Sequence, residues 1–179
     1  DSGNRLALDV VAYPVTAMGL SAQRTCEQNP EYDASTYKGR LRIGGHKMIL
    51  DGSPQGRTAW MSKPYLPDGP DADPNYCGFG AMNDDMVYGV CRQAIDTNHQ
   101  LLTHCNGDAA ADQLLRCYRK ALNDSPNPDK HLLRPVMIHC QTAREDQYDQ
   151  MAELGMIPSI FSSHIWYWGD VHLKNFGKE

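Results

Sequence analysis

The segment QLLTHCNGDAAADQLLRCYRKAL, residues 100–122, decides the fold. It opens as a short apolar run that ends in a histidine and a cysteine. Asn106-Gly107-Asp108 turns the chain, and Leu114, Leu115, Tyr118, Ala121 and Leu122 then recur at the spacing of one helix face. The pattern returns downstream. PVMIHCQ (135–141) reads as a strand, Thr142-Ala143-Arg144-Glu145 has the form of a capping box, a helix runs on to near Gly155, and IPSIF (157–161) is the last strand. NDSPNPD (123–129) is the loop between the two units.

Upstream, Asn83 reads as a helix N-cap with Asp84 and Asp85 in the first turn, where the helix dipole favours them. Met86, Val87, Val90, Cys91 and Ala94 form its apolar stripe. LRIGGHKMIL (41–50) is a strand whose glycines suggest a bend or a close approach. LALDVVAYPV (6–15) is a β-branched strand run that ends at Pro14. Strands with helices between the later ones predict an α/β chain, a parallel sheet with helical crossovers. HKMIL, LLTHC and VMIHC are apolar on both faces, as strands covered by helices should be. A doubly wound sheet and a (β/α)8 barrel both fit. The segment 52–83, rich in Gly, Pro and Asp, is too long for a passive connection, and a mobile cover over a site is the expectation.

With 179 residues, 41% hydrophobic and 22% charged, the composition is that of one ordinary globular domain. The net charge of -5 provides no basic footprint for nucleic acid. No apolar run approaches the roughly 20 residues that cross a bilayer. The first residues lack an initiator Met and run almost at once into a strand, so the chain reads as a piece of something longer. Six cysteines form no CxxC pair and several fall in periodic apolar segments. They read as buried free thiols of a reducing compartment, which makes the expected location cytoplasmic.

Lys47 with Asp51, His104 and His139 stand near the C-terminal ends of three strands, the ends that line the active face of parallel α/β folds. Strict alternation puts Lys47, Ile49 and Asp51 on one face, Gln100, Leu102 and His104 on another, and Met137, His139 and Gln141 on a third. One inward direction then gathers a lysine and two histidines. Neutral imidazoles make His104 and His139 a reasonable metal pair. An ammonium on a core face is costly unless paired, and Asp51 is the nearby partner. The functional reading of Lys47 is an amine with a depressed pKa, reacting either as a Schiff base or, after adding carbon dioxide, as a carbamate.

Other residues carry two readings each. Asp108 reads as a helix N-cap. Asp51-Gly52-Ser53 is a turn, or Asp51 orients the lysine or touches substrate. Arg57 and Thr58 lie on the long loop at the mouth of the site. His164, with Trp166, Trp168 and Asp170, lines a substrate pocket or packs at a rim. His46 points away from Lys47 along the strand and reads as structural. His131 and His172 give no signal.

YKGRLRIGGHKMILDGSPQGRTAWMSKPY, HCNGDAAADQLL and MIHCQTAREDQYDQMAELGMIPSIFSSHIWYWGD, in this order, resemble the middle of the metal-dependent amidohydrolase superfamily, in the amidohydrolase 3 branch that includes N-substituted formamide deformylase. The resemblance extends from residue 6 to residue 177 and rests on K-x-x-x-DGS-x-Q-G-x-TA, H-x-x-GDAA and S-x-x-x-x-H-x-x-x-WGD together. It implies a (β/α)8 barrel of which residues 1–179 are a partial domain, roughly strands 3 to 7. Lys47 resembles the strand-4 lysine that can be carboxylated and bridge metals, and His104 and His139 resemble the strand-5 and strand-6 ligands. The strand-1 H-x-H pair and the strand-8 aspartate that serves as base have no counterpart in this sequence, so the catalytic residue stays unknown.

The expected function is metal-dependent hydrolysis of a non-peptide C–N bond, amide or formamide-like, with a divalent metal, zinc by preference. The expected metal ligands are Lys47, His104 and His139, and the expected substrate contacts are Asp51, Arg57, His164 and Trp168. A small-molecule amide is the expected partner, together with self-association or association with the missing part of the barrel, and neither nucleic acid nor membrane. Two rivals stay open: an inactive barrel fragment with a structural or binding role, and a Schiff-base lyase using Lys47.

Overall fold

The computed structural model describes residues 6–17, 19–33 and 36–178. The strand run at the start is broken in two. Strand β1 is Val10–Ala12 and β2 is Val15–Thr16, on either side of Tyr13-Pro14, where proline removes a ladder donor. Helix α1, Ala22–Gln28, follows; Ser21 caps it by accepting from the Arg24 N–H at 3.2 Å. The second strand run is broken at the same level, into β3 (Leu41–Ile43) and β4 (Gly45–Ile49). Gly45 makes that break: its φ is +156°, and a Cβ there would sit 2.0 Å from the Gln100 carbonyl oxygen. Thus β1 pairs with β3 in a small ribbon while β2 continues beside β4 in the main sheet.

The remaining elements are α2 (Asp84–Asp96), β5 (Gln100–Cys105), α3 (Asp108–Asp124), β6 (Val136–His139), α4 (Glu145–Glu153), β7 (Ile157–Ile160) and α5 (His164–Phe176), with one 3-10 turn at Lys130–Leu132. The main sheet has five strands in the order β2-β4-β5-β6-β7, every pair parallel. Each later strand therefore adds beside the one before it through a helical crossover, as expected of the repeated strand–helix pattern. The core lies between the sheet and its helices. Met48, Leu50, Leu101, Cys105 and Met137 from the strands meet Val87, Cys91, Ala94, Leu114, Leu115, Tyr118 and Met151 from the helices. All six cysteines are free thiols, and only Cys77 is not buried.

Two helix starts differ from expectation. Gly107, not Asp108, is the N-cap of α3, which frees the Asp108 carboxylate. That carboxylate accepts from the Ser62 N–H at 2.7 Å and the Ser62 hydroxyl, and pairs with Arg144 at 3.1 Å. Helix α4 starts three residues later than Thr142: Arg144 is the cap, with the Gln147 side chain accepting from its N–H at 3.0 Å.

The segment 52–83 is tied to the rest of the fold at several points. Tyr65 is buried and donates its hydroxyl to the Ala59 carbonyl at 2.8 Å. The Leu66 N–H reaches the Asn175 carbonyl on α5 at 2.8 Å, and the Ala81 N–H reaches that of Leu50 at 2.7 Å. Gly107 touches the Trp60 carbonyl so closely that a Cβ would come within 1.9 Å of its oxygen. No helix among the described residues is long and apolar enough to cross a membrane.

Candidate functional site

Register decides which side chains share the inner face of the sheet. Lys47 lies opposite Leu102, and Ile49 opposite His104. Lys47, Ile49, Leu102 and His104 therefore line one face, the one left partly open, while Met48, Leu101, Thr103 and Cys105 face the helices. On β6 the alternation used for His139 fails. Met137 pairs with Thr103 and is fully buried on the helix side, so a regular strand would carry His139 there too. The backbone prevents it. His139 has φ +75° and Cys140 φ +50°, two consecutive non-glycine residues in the left-handed region. Such residues cost about 1–3 kcal/mol each and persist where the surroundings hold them. The turn brings the His139 ring against His104, centroids 4.7 Å apart and edge to face at 77°.

The electrostatics follow from that meeting. Burial, then the neighbouring His104, His164 and Lys47, push the His139 imidazole down to about 4, so the ring stays neutral near pH 7. Burial also lowers the Lys47 ammonium from its ordinary value. Lys47 forms no ion pair with Asp51 among the described residues. Asp51 is committed elsewhere: its buried carboxylate accepts from the backbone N–H groups of Asn106 at 2.9 Å, Gly107 at 2.7 Å and Trp60 at 3.1 Å. Burial raises its pKa, with the three amides and His104 opposing. Asp51 thus clamps the 52–60 loop onto the β5–α3 turn, below the open face.

The residues present fit a cation at this place. The His104 Nε2 lies 3.1 Å from the Gly52 carbonyl and 3.7 Å from Asp51 Oδ1. An Nε2–H donated to that carbonyl leaves the Nδ1 lone pair free, which is how ligating histidines are usually oriented. His139 is a neutral imidazole, and among the described residues no carboxylate pairs with the Lys47 amine.

The expected substrate residues separate into two groups. His164 opens α5 and stands 5.8 Å from the His139 ring and 4.9 Å from Phe161. It lines a cavity of about 150 Å3 with His139, Gln141, Ile160, Phe161 and His172. Trp168 follows one turn later on the same helix face and is 39% exposed. Arg57 instead holds the loop together: it donates to the Leu66 carbonyl at 2.7 Å and stacks on the Tyr65 ring at 5.2 Å. His172, which gave no signal in sequence, joins the site because α5 is a helix. Its Nε2 lies 3.0 Å from Gln141 Nε2. The spacing His164, Trp168, His172 was the available sign.

A parallel α/β sheet with histidines gathered at its C-terminal strand ends has the arrangement of part of a (β/α) barrel. The chain belongs to the amidohydrolase family, whose model matches residues 3–177. It is 25% identical over 114 residues to YtcJ of Bacillus subtilis (strain 168), named as an amidohydrolase, covering 64% of this chain and 20% of that protein. It is 24% identical over 139 residues to LONG AFTER FAR-RED 3 of Arabidopsis thaliana, covering 78% of this chain and 22% of that protein. Among solved structures, an uncharacterized metal-dependent hydrolase from Pyrococcus furiosus superposes with a TM-score of 0.73 at 26% identity, over 99% of this chain and 33% of that one. A second, from Pyrococcus horikoshii OT3, gives 0.72 at 23% identity over 98% and 32%, and speaks for the fold alone. The chain thus spans about a fifth of the curated relatives and a third of these structures.

Proposed function

We propose that residues 1–179 are a partial barrel domain of a metal-dependent hydrolase acting on a non-peptide C–N bond, an amide or formamide-like one. The meeting of His104 and His139 at 4.7 Å beside Lys47 carries this reading. The similarity to proteins named as an amidohydrolase and a metal-dependent hydrolase supports it. His104 and His139 would hold a divalent ion, zinc by preference. Bound there, the ion would polarise the scissile carbonyl and supply hydroxide at neutral pH. Burial lowers the Lys47 ammonium from its ordinary value, and in its deprotonated form the amine would react: its lone pair bonds the carbon of carbon dioxide, an Nζ proton leaves to solvent, and the carbamate oxygens would become ligands.

His164 and Trp168, on one face of α5, would line the substrate pocket, with Arg57 and Asp51 fixing its floor through the loop. The lyase reading is less favoured because Lys47 stands near enough to His139 to help lower that imidazole. The inert-fragment reading loses its expected Lys47–Asp51 ion pair, since Asp51 is occupied by three amides. The test is zinc binding with 13C-labelled bicarbonate. A carbamate carbon signal that appears with zinc and vanishes in Lys47→Ala is the expected result. Zinc binding unchanged in both His104→Ala and His139→Ala would overturn the assignment.

A further inference from the structure

At the other end of the same strands lies a second group of ligand-type side chains, on the face covered by α1. His46 is the second residue of β4, His99 immediately precedes β5, and Cys26 comes from α1. One ligand atom of each lies within 4.8 Å of the others. The two rings stack at 4.6 Å with 19° between their planes. Asp33 closes the group, with its Oδ1 2.6 Å from His99 Nε2.

Two features of the hydrogen bonding call for a positive centre here. His46 is fully buried, and neither of its ring nitrogens has a partner. A buried orphan of this kind is costly and needs a reason. The second feature is the proton placement on His99. The Thr97 hydroxyl donates to the Gln93 carbonyl at 2.8 Å, so its oxygen accepts from His99 Nδ1–H, also at 2.8 Å. In the neutral ring Nε2 then carries a lone pair, facing a carboxylate oxygen at 2.6 Å. Two lone pairs at that separation need a cation between or beside them: a proton, or a metal.

We propose that Cys26, His46, His99 and Asp33 form a metal site of the zinc class, separate from the His104–His139 site. One sulfur, two imidazoles and one carboxylate are a ligand set that zinc takes tetrahedrally. Binding exchanges the Cys26 thiol proton, released to solvent, for a metal–sulfur bond. It gives His46 the partner it lacks. Two adjustments accompany loading. One ring tilts out of the stack so that the lone pairs converge. The Asp33 carboxylate backs away from its present 2.6 Å, because the edge of a tetrahedron with arms of about 2.0 Å is about 3.3 Å. A cavity of about 320 Å3 lined by Asp33, Arg42, Gly44, Thr97 and His99 gives the ion a way in. The ion would join α1 to the β4 and β5 strand starts, so its role is to lock the N-terminal segment onto the sheet.

The test uses cobalt(II) on chelator-stripped protein, because the Lys47–His104–His139 site contains no thiol ligand. A sulfur-to-cobalt charge-transfer band is expected in the wild type. It should be lost in Cys26→Ser and need at least tenfold more cobalt in His46→Gln. It should persist in His104→Ala, which separates this proposal from the hydrolase reading, and in Cys140→Ser, which removes the thiol next to His139. X-ray absorption on the wild type, expected to show one sulfur among nitrogen and oxygen neighbours, decides the matter even if a variant fails to fold. No charge-transfer band and no sulfur neighbour in the wild type would overturn the proposal and leave His99–Asp33 an imidazolium–carboxylate pair; a band surviving Cys26→Ser would also overturn it.

Discussion

His104 and His139 meet edge to face although the regular alternation of β6 would hold them on opposite sides of the sheet; the left-handed backbone at His139 and Cys140 brings them together. The same burial that keeps His139 neutral gives the protein a pH dependence. His139 and His46 both fall from 6.5 to about 4 in the fold, each chiefly through burial. The unfolded chain takes up these protons near pH 6.5, and the folded chain only near 4. Stability of the metal-free protein is therefore fully present above pH 6.5, declines as pH falls from there to 4, and levels off below. Urea midpoints across that window check this. The decline should be shallower in His46→Gln, and a flat profile would contradict it.

Asp51 should matter for folding before it matters for chemistry. Asp51→Ala would leave three backbone N–H groups, two buried and one half-buried, without an acceptor. At about 1 kcal/mol for each orphaned donor, the low end of such penalties, the loss is about 3 kcal/mol. Asp51→Asn keeps an acceptor and should cost less. Equilibrium denaturation of the two variants measures the difference, and an Asp51→Ala protein as stable as wild type would remove the clamp role.

The main sheet is open at both edges, β2 and β7. Around β7 and α5, Ile160, Phe161, Ile165 and Trp166 are 52–86% exposed. Open strand edges beside apolar side chains favour association. Light scattering is expected to report a species larger than a monomer, and Ile165→Lys with Trp166→Lys is expected to shift it toward the monomer. A monodisperse wild-type monomer would count against this.

The chain by itself is expected to be inactive toward amides. Residues 1–179 contain no H-x-H pair, and the carboxylate beside His104, that of Asp51 at 3.7 Å, already accepts from three backbone N–H groups. Hydrolysis needs an ion, an open position and a group that moves the proton, and groups that act as a unit lose most of their effect when one is removed. An assay with excess zinc and bicarbonate on amides and formamides should show no turnover above a Lys47→Ala control.

The sequence by itself determined what depends on local periodicity. The apolar run and helical stripe of residues 100–122 set β5 and α3. The Asn83 cap set the start of α2, and alternation along β4 and β5 set the common face of Lys47 and His104. Helix α5 was hidden because HIWYWGDVHLKNF is aromatic, interrupted by Gly169 and exposed on most sides, so no apolar stripe marks it. Only the tertiary structure decided the rest. Asp51 spends its carboxylate on amides up to 56 positions away rather than on Lys47, four positions away. His139 reaches the site through backbone strain that alternation cannot express. His46, which did point away from Lys47, meets Cys26 and His99 from separate segments. Side-chain direction is a local property of a strand, whereas hydrogen-bond partners and backbone strain are set by packing between segments distant in the chain.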